Sequence, residues 1–319
     1  MKKSNRGPVQ VLITGAAGNI GSALTAALLK KGGYSVVGVD NLSTGARAKL
    51  PPNGPSFRFV KADVNHHSEI SSIFYANEFH YVFHFAAVVG VQRTLANPLM
   101  VLADIEGIKN VLSLAKNCGI RRVYYSSSSE VYGEPVRTPQ HEETTPLNSR
   151  LPYAIVKNIG ESFFRSYQAE HGLDYTIFRF FNTYGPNQSE DFVVPRFLNA
   201  ALRGEPLTIN GTGSQTRTFC YIDDNTETMI RCLSGDLFVN DVLNIGSDEE
   251  RSVLDLARLI RRLTGSRSEI KHLPPLAEGD MTRRMPDIEK MKRVLKRPLV
   301  PIERGIEMLL AHKAKRAAA

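Results

Sequence analysis

The chain has 319 residues, 42% of them hydrophobic, and a formal net charge of +8. These values are ordinary for a soluble globular protein with one large domain or two smaller ones. They exclude a membrane-spanning chain, because no apolar run approaches the ~20 residues that a transmembrane helix needs. The apolar stretch near the start is too short for a signal peptide and runs into a glycine turn, so it is predicted to be the first strand.

The first half of the chain alternates short apolar runs with helical patterns, which indicates βαβ units and a parallel sheet. The predicted strands are residues 9–14, 34–40, 57–63, 81–87, 121–129 and 174–181. The predicted helices are Asn19 to Lys31, Pro98 to Cys118 and Tyr153 to His171. His84 lies inside an apolar strand and is expected to be a core histidine rather than a ligand.

Beyond Asn182 the alternation changes. Helices are predicted over residues 193–203 and 253–263, and strands over 207–211 and 242–247. We therefore expect an α/β fold: a Rossmann-type doubly wound parallel sheet with a smaller, partly interleaved C-terminal substrate-binding domain. The predicted nucleotide-binding domain covers residues 1–181, with segments around 218–246 returning to it. The predicted substrate domain covers residues 182–217 and 247–319.

The positive charge is concentrated at the end of the chain. Residues 251–319 hold 17 Lys and Arg against 8 Asp and Glu, a net +9. Such a region suits an anionic ligand, with nucleic-acid binding as the alternative. Lys290, Lys292 and Arg293 are expected on a solvated helix surface.

The segment Gly15-Ala-Ala-Gly18-Asn-Ile-Gly21 follows the first strand and opens the first helix. Glycines in this context allow a tight turn and close approach of a pyrophosphate to the helix N-terminus. Asp40 ends the second strand, where a carboxylate accepts hydrogen bonds from the adenosine ribose and repels a 2′-phosphate. The sequence therefore predicts NAD rather than NADP. Asp63, after the third strand, is a weaker candidate for contact with the adenine.

Tyr153 and Lys157 lie four residues apart, about 20 residues after the serine run that contains Ser128. Residues four apart share a face of a helix, so the ammonium can lie beneath the phenol. A tyrosine normally ionises near pH 10, and a nearby cation favours the phenolate. We therefore expect Lys157 to lower the pKa of Tyr153 and make it a usable base.

These motifs together resemble the extended short-chain dehydrogenase/reductases that act on nucleotide sugars. The resemblance is carried by GAAGNIG, DNLSTG, HFAA, SSSSEVYG, YAIVK, RFFNTYGP, GEPLTINGTGSQTRTFCYIDD and RRMPDI, and it covers nearly the whole chain. Two positions depart from the family pattern. Asp104 stands where the family usually has an asparagine, and Asn187 stands where a basic residue is common.

The resemblance implies roles for individual residues. Ser128 would bind the sugar 4-hydroxyl, Tyr153 would be the base and Lys157 its partner. The nucleotide sugar would be contacted by Ser129, Asn182, Val194, Thr208, Asn210, Arg217 and Arg284, of which the two arginines would hold the diphosphate. The remaining contacts to NAD would come from Asn19, Ile20, Asn41, Val64, Ala86 and Ala87.

The family's reactions share oxidation of the sugar at C4 by NAD and differ in what the 4-ketone does next. Reduction on the other face gives a 4-epimer, loss of carbon dioxide from a uronic acid gives a pentose, and loss of the 6-hydroxyl gives a dehydrated sugar. Glu130 is typical of decarboxylases and dehydratases, in which it is available for proton handling near C5. Ser129, where dehydratases tend to have an acid, argues against dehydration.

The first prediction is therefore UDP-glucuronate decarboxylation, and the alternative is a UDP-hexose 4-epimerase. SEVYG, the GSQTRTFCYIDD segment and RRMPDI resemble decarboxylases, whereas HFAAVVGVQ resembles an epimerase loop. A purely structural hydrogen bond stays open for Glu130. A non-catalytic relative that binds RNA or a partner through the basic region is disfavoured, because the Tyr/Lys pair is present.

The remaining expectations concern assembly and location. The resemblance implies a homodimer in which the Pro98–Cys118 and Tyr153–His171 helices form a four-helix interface. The three cysteines, Cys118, Cys220 and Cys232, make no Cys-x-x-Cys pair, which indicates buried thiols, a reducing cytoplasmic compartment and no metal site. The predicted partner is a nucleotide-diphosphate sugar, with neither nucleic acid nor membrane.

Overall fold

The structure is a computed structural model that describes residues 7–275 and 281–317. The predicted domain ranges 1–181 and 247–319 thus include residues that lie outside this description. Seven parallel strands form the central sheet: β1 (Val9–Thr14), β2 (Tyr34–Asp40), β3 (Phe57–Lys61), β4 (Tyr81–His84), β5 (Arg122–Ser128), β6 (Asp174–Phe180) and β11 (Asp241–Ile245). Their order is β11-β6-β5-β4-β1-β2-β3, so the chain winds outward in both directions from β1.

Helices cover both faces of this sheet, because its central strands are apolar on both sides. One face packs against α2 (His67–Tyr75), α5 (Asp104–Asn117) and α6 (Pro152–His171). The other packs against α1 (Asn19–Lys31), α8 (Ile222–Ser234) and α10 (Glu289–Leu295). The short helices α3 (Val91–Ala96) and α4 (Pro98–Leu102) precede α5. The predicted doubly wound α/β class is confirmed.

A third hydrophobic cluster lies among elements that follow β6. It joins α7 (Val193–Arg203), α9 (Val253–Thr264) and α11 (Ile302–Ala317) with small two-stranded sheets. Those sheets pair β7 (Thr183–Tyr184) with β10 (Cys220–Tyr221), β8 (Leu207–Asn210) with β13 (Ile270–Leu273), and β9 (Thr216–Thr218) with β12 (Glu250–Ser252). The chain returns to the central sheet at β11.

Several local expectations are borne out, and two are wrong. His84 is buried, and its Nδ1 lies 2.8 Å from Thr14 Oγ1, as expected of a core histidine. The single helix expected from Pro98 to Cys118 is instead α4 and α5. The hydrogen-bond pattern changes between them, since the carbonyl of Ala103 accepts from the Glu106 amide three residues on. Lys290 is not solvated but donates to both carboxylate oxygens of Asp241, at 2.8 and 2.9 Å.

The described residues can also be checked for a membrane helix, for the state of the cysteines and for a metal-binding group. Within them, no helix is long and apolar enough to cross a membrane. Cys220 and Cys232 are buried, as expected, whereas Cys118 is half-buried. Across residues 7–275 and 281–317, no group of three or more His, Cys, Asp or Glu is arranged to hold a metal ion.

Candidate active site

The candidate site is a cleft at the carboxyl ends of the central strands, where ligands bind in open α/β sheets. All residues predicted to contact NAD line it: Gly15, Gly18, Asn19, Ile20, Gly21, Asp40, Asn41, Asp63, Val64, Ala86, Ala87, Tyr153 and Lys157. So do the other predicted catalytic residues and three of the predicted substrate contacts, namely Ser128, Glu130, Ser129, Asn182 and Arg284. The fold thus gathers residues from β1 to the segment before α10 into one concave surface.

The glycine turn after β1 forms one end of the cleft. Gly15 has φ +68°, and a Cβ there would lie 2.6 Å from the Ala86 nitrogen, so a side chain is excluded. At Gly18 a Cβ would meet only the Gly15 carbonyl oxygen, at 3.2 Å, so this glycine leaves room on its cleft side. Helix α1 begins directly after it, at Asn19, and directs its first amides toward the same space. The turn therefore fits the pyrophosphate of NAD.

Acidic and amide side chains follow β2 and β3 at the same edge. Asp40 is 8% exposed, and its two oxygens accept from the amides of Ala17 and Leu42 at 2.9 and 2.8 Å. Burial raises the pKa of Asp40, and the two amide bonds oppose that rise. Asn41 Nδ2 donates to Asp63 Oδ2 at 2.9 Å. The carboxylate of Asp40 keeps lone pairs for ribose hydroxyls, which fits NAD rather than a 2′-phosphorylated dinucleotide.

The end of β5 and the first turns of α6 bring the predicted catalytic hydroxyls together. Pro152 occupies the first helical position of α6, which suits its fixed φ. Tyr153 follows it and lies close enough to the Ser128 side chain at the end of β5 for that hydroxyl to lower the pKa of the phenol. One turn later, Lys157 Nζ lies 5.7 Å from the Tyr153 ring centroid and donates to Ser126 Oγ at 3.3 Å. Serine, tyrosine and lysine thus form one continuous polar group.

The ionisation of this group differs from the expectation. Burial raises the pKa of Tyr153 above its ordinary value, the negative charge of Glu130 adds to the rise, and the Ser128 hydrogen bond opposes it. The net lowering expected from Lys157 is therefore wrong for the protein's own residues, because burial of the phenolate and the charge of Glu130 together raise the pKa. Burial lowers the pKa of Lys157 to about 8, and Asp104 opposes that fall.

Glu130 is placed by a short 3₁₀ helix, Ser129–Tyr132, that follows β5. Its amide donates to Ser128 Oγ at 3.2 Å. Its Oε1 lies 3.4 Å from Arg284 Nη2, and both side chains are largely buried. Arg284 Nε contacts Met281 Sδ at 3.1 Å, a weak acceptor. This ion pair lies beside Tyr153 and leaves the other guanidinium donors available to a ligand.

The segment that carries Arg284 is held at several points. Gln140 N donates to Met285 O at 2.7 Å, and Asp287 N donates back to Gln140 O at 2.9 Å. Arg283 Nε and Nη2 bind the two oxygens of Glu250 at 2.7 and 2.8 Å. Arg284 is thus fixed at the catalytic end of the cleft, even though 154 positions separate it from Glu130 in the chain.

A second buried ion pair supports the end of β5. Arg179 Nε and Nη2 donate to the two Glu161 oxygens at 2.8 and 2.7 Å. Ser127 Oγ donates to Glu161 Oε1 at 2.6 Å, and Arg179 Nη1 donates to Tyr132 Oη at 2.9 Å. These bonds, led by those from Arg179, hold the pKa of Glu161 below its ordinary value despite burial. The pair joins β5, α6 and β6 directly behind Ser128.

Four predicted substrate contacts lie elsewhere. Val194, Thr208, Asn210 and Arg217 do not line the cleft, and their predicted roles stay predictions. Val194 is buried in the third hydrophobic cluster, and Thr208 and Asn210 are on β8. Arg217 on β9 is 7% exposed, so the alternative of a surface charge is excluded for it, as it is for Arg284 at 6%.

The cleft also includes residues that sequence reasoning did not assign to the site. Arg93 lines it and reaches Asp191 Oδ2 at 2.8 Å, which joins α3 to the segment before α7. Asp104 lines it as the first residue of α5. Gln188 lines it and donates to Thr183 O at 2.6 Å. The departure from the family pattern at position 104 was a usable signal, whereas nothing in the sequence connects Arg93 with Asp191.

Comparisons with known proteins agree with this geometry. The profile described as "Epimerase: NAD dependent epimerase/dehydratase family" matches residues 11–246. The UDP-N-acetyl-alpha-D-glucosaminuronate decarboxylase of Bacillus cytotoxicus is 36% identical over 315 residues, which cover 93% of this chain and 95% of that protein. The UDP-glucuronic acid decarboxylase 1 of Danio rerio is 34% identical over 313 residues, which cover 95% of this chain and 72% of that protein.

Among solved structures, a UDP-glucose 4-epimerase with UDP-glucose from Thermotoga maritima superimposes with a TM-score of 0.90. It is 31% identical, and the match covers 97% of this chain and 100% of that one. The similar proteins thus include decarboxylases among the sequence relatives and an epimerase among the solved structures.

Proposed function

This chain belongs to the NAD dependent epimerase/dehydratase family, and we propose that it oxidises C4 of a UDP-linked uronate and releases the sugar carboxyl group as carbon dioxide. The chain is an NAD-dependent enzyme of nucleotide-sugar chemistry. UDP-glucuronate is the proposed substrate and a UDP-pentose the proposed product. The named decarboxylase relatives support this choice of substrate class.

One observation carries the proposal: Arg284 and Glu130 form an ion pair beside Tyr153 and Ser128. In a uronate, the C6 carboxylate is attached to C5, next to the carbon that is oxidised. A guanidinium binds a carboxylate through two parallel hydrogen bonds, and the single 3.4 Å contact with Glu130 leaves donors for them. A UDP-hexose has no carboxylate attached to C5, so it would offer Arg284 only its diphosphate.

The proposed steps use the chain's own residues as follows. Tyr153 accepts the 4-hydroxyl proton as its phenolate, the form that burial disfavours in the protein alone, with Ser128 oriented on the same oxygen and Lys157 below the phenol. NAD, when bound, supplies the oxidant that accepts hydride from C4. The product is a β-keto acid, whose carboxylate is held by Arg284 until the C5–C6 bond breaks and leaves an enolate. Glu130 would take up a proton from solvent and deliver it to C5, and the hydride removed in the first step would return to C4 to complete the pentose.

The nucleotide is proposed to lie toward the smaller domain. Asn182 and Ser129 line the same cleft as the catalytic residues. Arg217 is proposed to bind the diphosphate, because a buried guanidinium on β9 is a strong donor to phosphate. Arg284 is proposed to contact both the diphosphate side and the uronate carboxylate. Val194, Thr208 and Asn210 remain proposed contacts of the nucleotide.

A homodimer is part of the proposal. Leu95, Leu99, Met100, Leu102 and Ile155 are exposed large apolar side chains on α3, α4 and α6, with Leu99 80% exposed. A patch of this kind marks protein–protein contact. Sedimentation of the wild type should give a dimer, and Leu99→Glu should shift it toward monomer. We also propose a cytoplasmic location, on the reducing compartment that three unpaired cysteines favour.

The alternative is a UDP-hexose 4-epimerase. The loop after β4 carries the epimerase-like sequence HFAAVVGVQ, and the backbone similarity to the Thermotoga maritima epimerase favours this reaction. Dehydration is less favoured, because Ser129 stands before Glu130 and cannot serve as an acid.

The deciding experiment presents the protein and NAD with UDP-glucuronate, UDP-glucose, UDP-galactose and the N-acetylated sugars in parallel. Mass spectrometry should detect a UDP-pentose only from the uronate. Interconversion of the hexoses, with no mass loss from UDP-glucuronate, would instead establish the epimerase.

A further inference from the structure

Asn244 is a buried polar residue that the mechanism above does not use. It lies near the carboxyl end of β11, an edge strand of the central sheet, and is 0% exposed. Its Oδ1 accepts from Tyr132 Oη at 2.8 Å, and its Nδ2 donates to the carbonyl oxygens of Gln140 and Asp287 at 2.8 and 3.2 Å. One buried amide thus joins three segments that lie between 43 and 112 positions from it in the chain.

The first of these segments carries Glu130. Tyr132 ends the 3₁₀ helix in which Glu130 lies. Arg179 Nη1 donates to Tyr132 Oη at 2.9 Å, and because a guanidinium has no acceptor, the phenol proton is left for Asn244 Oδ1. The side-chain oxygen of Asn244 therefore faces this helix, and its N–H groups face the two carbonyl oxygens on the other side.

The other two segments hold Arg284 in place. Gln140 N donates at 2.7 Å to the carbonyl oxygen of Met285, the residue after Arg284, and Asp287 N donates to Gln140 O at 2.9 Å. Asn244 Nδ2 binds the carbonyl oxygens of Gln140 and Asp287 together. A path of three hydrogen bonds, of 2.7, 2.8 and 2.8 Å, therefore runs from the residue after Arg284 to the 3₁₀ helix.

The segment that carries Arg284 also packs directly on the end of β11. Gly246, just after the strand, approaches Pro286 so closely that a Cβ would lie 2.8 Å from Pro286 Cγ. The ion pair of Arg283 on the same segment is half exposed, and such a pair holds a segment weakly. The hydrogen bonds of Asn244 are shielded from water, so they should fix the segment more firmly.

We propose that Asn244 is a positioning residue that fixes the separation of Arg284 and Glu130 and so directs the guanidinium toward the anionic groups of the ligand. Asn244 itself does not line the cleft, so its effect on a ligand must pass through Arg284. The inference rests on the proposed function in one respect, that Arg284 binds the diphosphate. Without the Asn244 amide, Arg284 would keep its charge and lose the fixed geometry that a two-pronged contact needs.

One substitution removes the donors of this amide with almost no change of shape. Asn244→Asp places an oxygen opposite two carbonyl oxygens, where no hydrogen bond can form. Asn240→Asp is the matched control, because Asn240 precedes the opposite end of β11. Its Nδ2 donates to Asp174 Oδ1 at 2.8 Å, and its Oδ1 accepts from Tyr175 N at 3.0 Å. The control breaks a comparable interstrand contact away from the cleft.

The test measures how the full chain with NAD binds UDP, which has the diphosphate and no sugar, by isothermal titration calorimetry. Asn244→Asp should weaken binding by about tenfold when Arg284 is present. It should change binding by less than about twofold in an Arg284→Ala background, because substitutions that act through one contact are not additive. Asn240→Asp should change the affinity by less than about twofold. A purely structural role would not make the effect of Asn244→Asp depend on Arg284.

Two results would overturn the proposal. One is wild-type affinity in Asn244→Asp with a far-ultraviolet spectrum like that of the wild type, and the other is an equal loss in both backgrounds. If Asn244→Asp does not fold, Tyr132→Phe decides, because it removes the hydrogen bond to Asn244 Oδ1 and keeps the ring. A loss of UDP affinity that disappears in Arg284→Ala supports the role, and any other result contradicts it.

The outcome is separate from that of the proposed reaction. UDP has no carboxylate to lose and undergoes no turnover, so an enzyme that turned out to be an epimerase would leave the Asn244 result intact. Equally, a lack of coupling between Asn244 and Arg284 would leave carbon dioxide release from UDP-glucuronate to be decided by its own assay.

Discussion

Two buried carboxylate–arginine pairs flank the end of β5, and they differ in how completely their polar atoms are satisfied. Glu161 and Arg179 share two hydrogen bonds of 2.8 and 2.7 Å, and further bonds come from Ser127, Tyr132, Arg165 and the Glu142 carbonyl. Glu130 and Arg284 share one contact of 3.4 Å. The first pair joins three elements of the scaffold, whereas the second lines an open cleft.

The difference indicates what each pair is for. A buried ion pair whose donors and acceptors are all used is a rigid support, and removing one partner leaves an uncompensated charge. A pair with spare donors beside a reactive hydroxyl can exchange its partner for a ligand. The same contrast applies to protonation, because the pKa of Glu161 is lowered by its partners while burial raises that of Tyr153 and lowers that of Lys157.

The largest change in turnover is expected from a substitution in the cleft. Tyr153→Phe removes the proton acceptor and keeps the ring, so turnover should fall by ~10²–10⁴-fold, the usual contribution of a positioned acid–base group. The melting temperature should change little. Steady-state rates and thermal unfolding of the same preparation check this, and retention of half the wild-type turnover would rule out Tyr153 as the base.

A substitution in the Glu161–Arg179 pair should instead lower the free energy of unfolding. Glu161→Gln leaves the Arg179 guanidinium buried without its counter-charge, so the free energy of unfolding should fall by about 3–5 kcal/mol. Glu170→Gln on the exposed part of the same helix is the control and should change it by less than about 0.5 kcal/mol. Urea unfolding measures both. Equal stability of the two variants would show that the buried pair is not structural.

Arg284→Lys tests whether the guanidinium N–H groups that do not contact Glu130 bind the substrate. Losing the two-pronged contact with a carboxylate should raise KM for the uronate by about 10- to 100-fold, given about 1.5–3 kcal/mol for hydrogen bonds to charged groups. Arg283→Lys is the neighbouring control, because Arg283 is half exposed and binds Glu250. Initial-rate kinetics on UDP-glucuronate compare them. Similar KM values in both variants would argue against carboxylate binding by Arg284.

Turnover is also expected to depend on pH. The pKa of Lys157 is lowered to about 8, so the ammonium is present below that pH and lost above it. If the ammonium is required, turnover should decline as pH rises through 8, by about tenfold for each further unit. Lys157→Arg keeps its charge throughout this range and should flatten that limb. A wild-type rate that keeps rising to pH 10 would contradict the requirement.

Local sequence patterns predicted the positions of many helices and strands and of part of the candidate site. The βαβ unit from β1 to β2 and helix α7 begin and end where apolar periodicity and glycines place them. Helix α8 was not predicted, because its first turn, Ile-Asp-Asp-Asn, has no apolar periodicity, and its buried face becomes visible only against α1 and α10. The small sheets depend on pairings between distant segments, such as β9 with β12.

The site divides in the same way. The glycine turn, Ser128, Tyr153 and Lys157 are linked by spacing along the chain, so the sequence located them. Spacing along the chain does not link Glu130 with Arg284, because it is the folded segment around Gln140 that brings Arg284 back to β5. The raised pKa of Tyr153 could not be predicted from the sequence either, because it depends on how deeply the phenol is buried and on a neighbouring carboxylate. The spacing of residues predicts which side chains share a helix face. It does not predict how far folding removes those side chains from solvent.

The incompletely satisfied pair of Glu130 and Arg284 at the end of β5 is proposed to make this cleft a C4-oxidising decarboxylase site. The most direct test supplies UDP-glucuronate labelled with ¹³C at the carboxyl carbon and follows the label by NMR in wild type and Arg284→Lys. The label should leave as carbon dioxide while an unlabelled UDP-pentose accumulates, and the loss should be much slower in the variant. Label that stays on the sugar, together with interconversion of UDP-glucose and UDP-galactose by the same preparation, would contradict it.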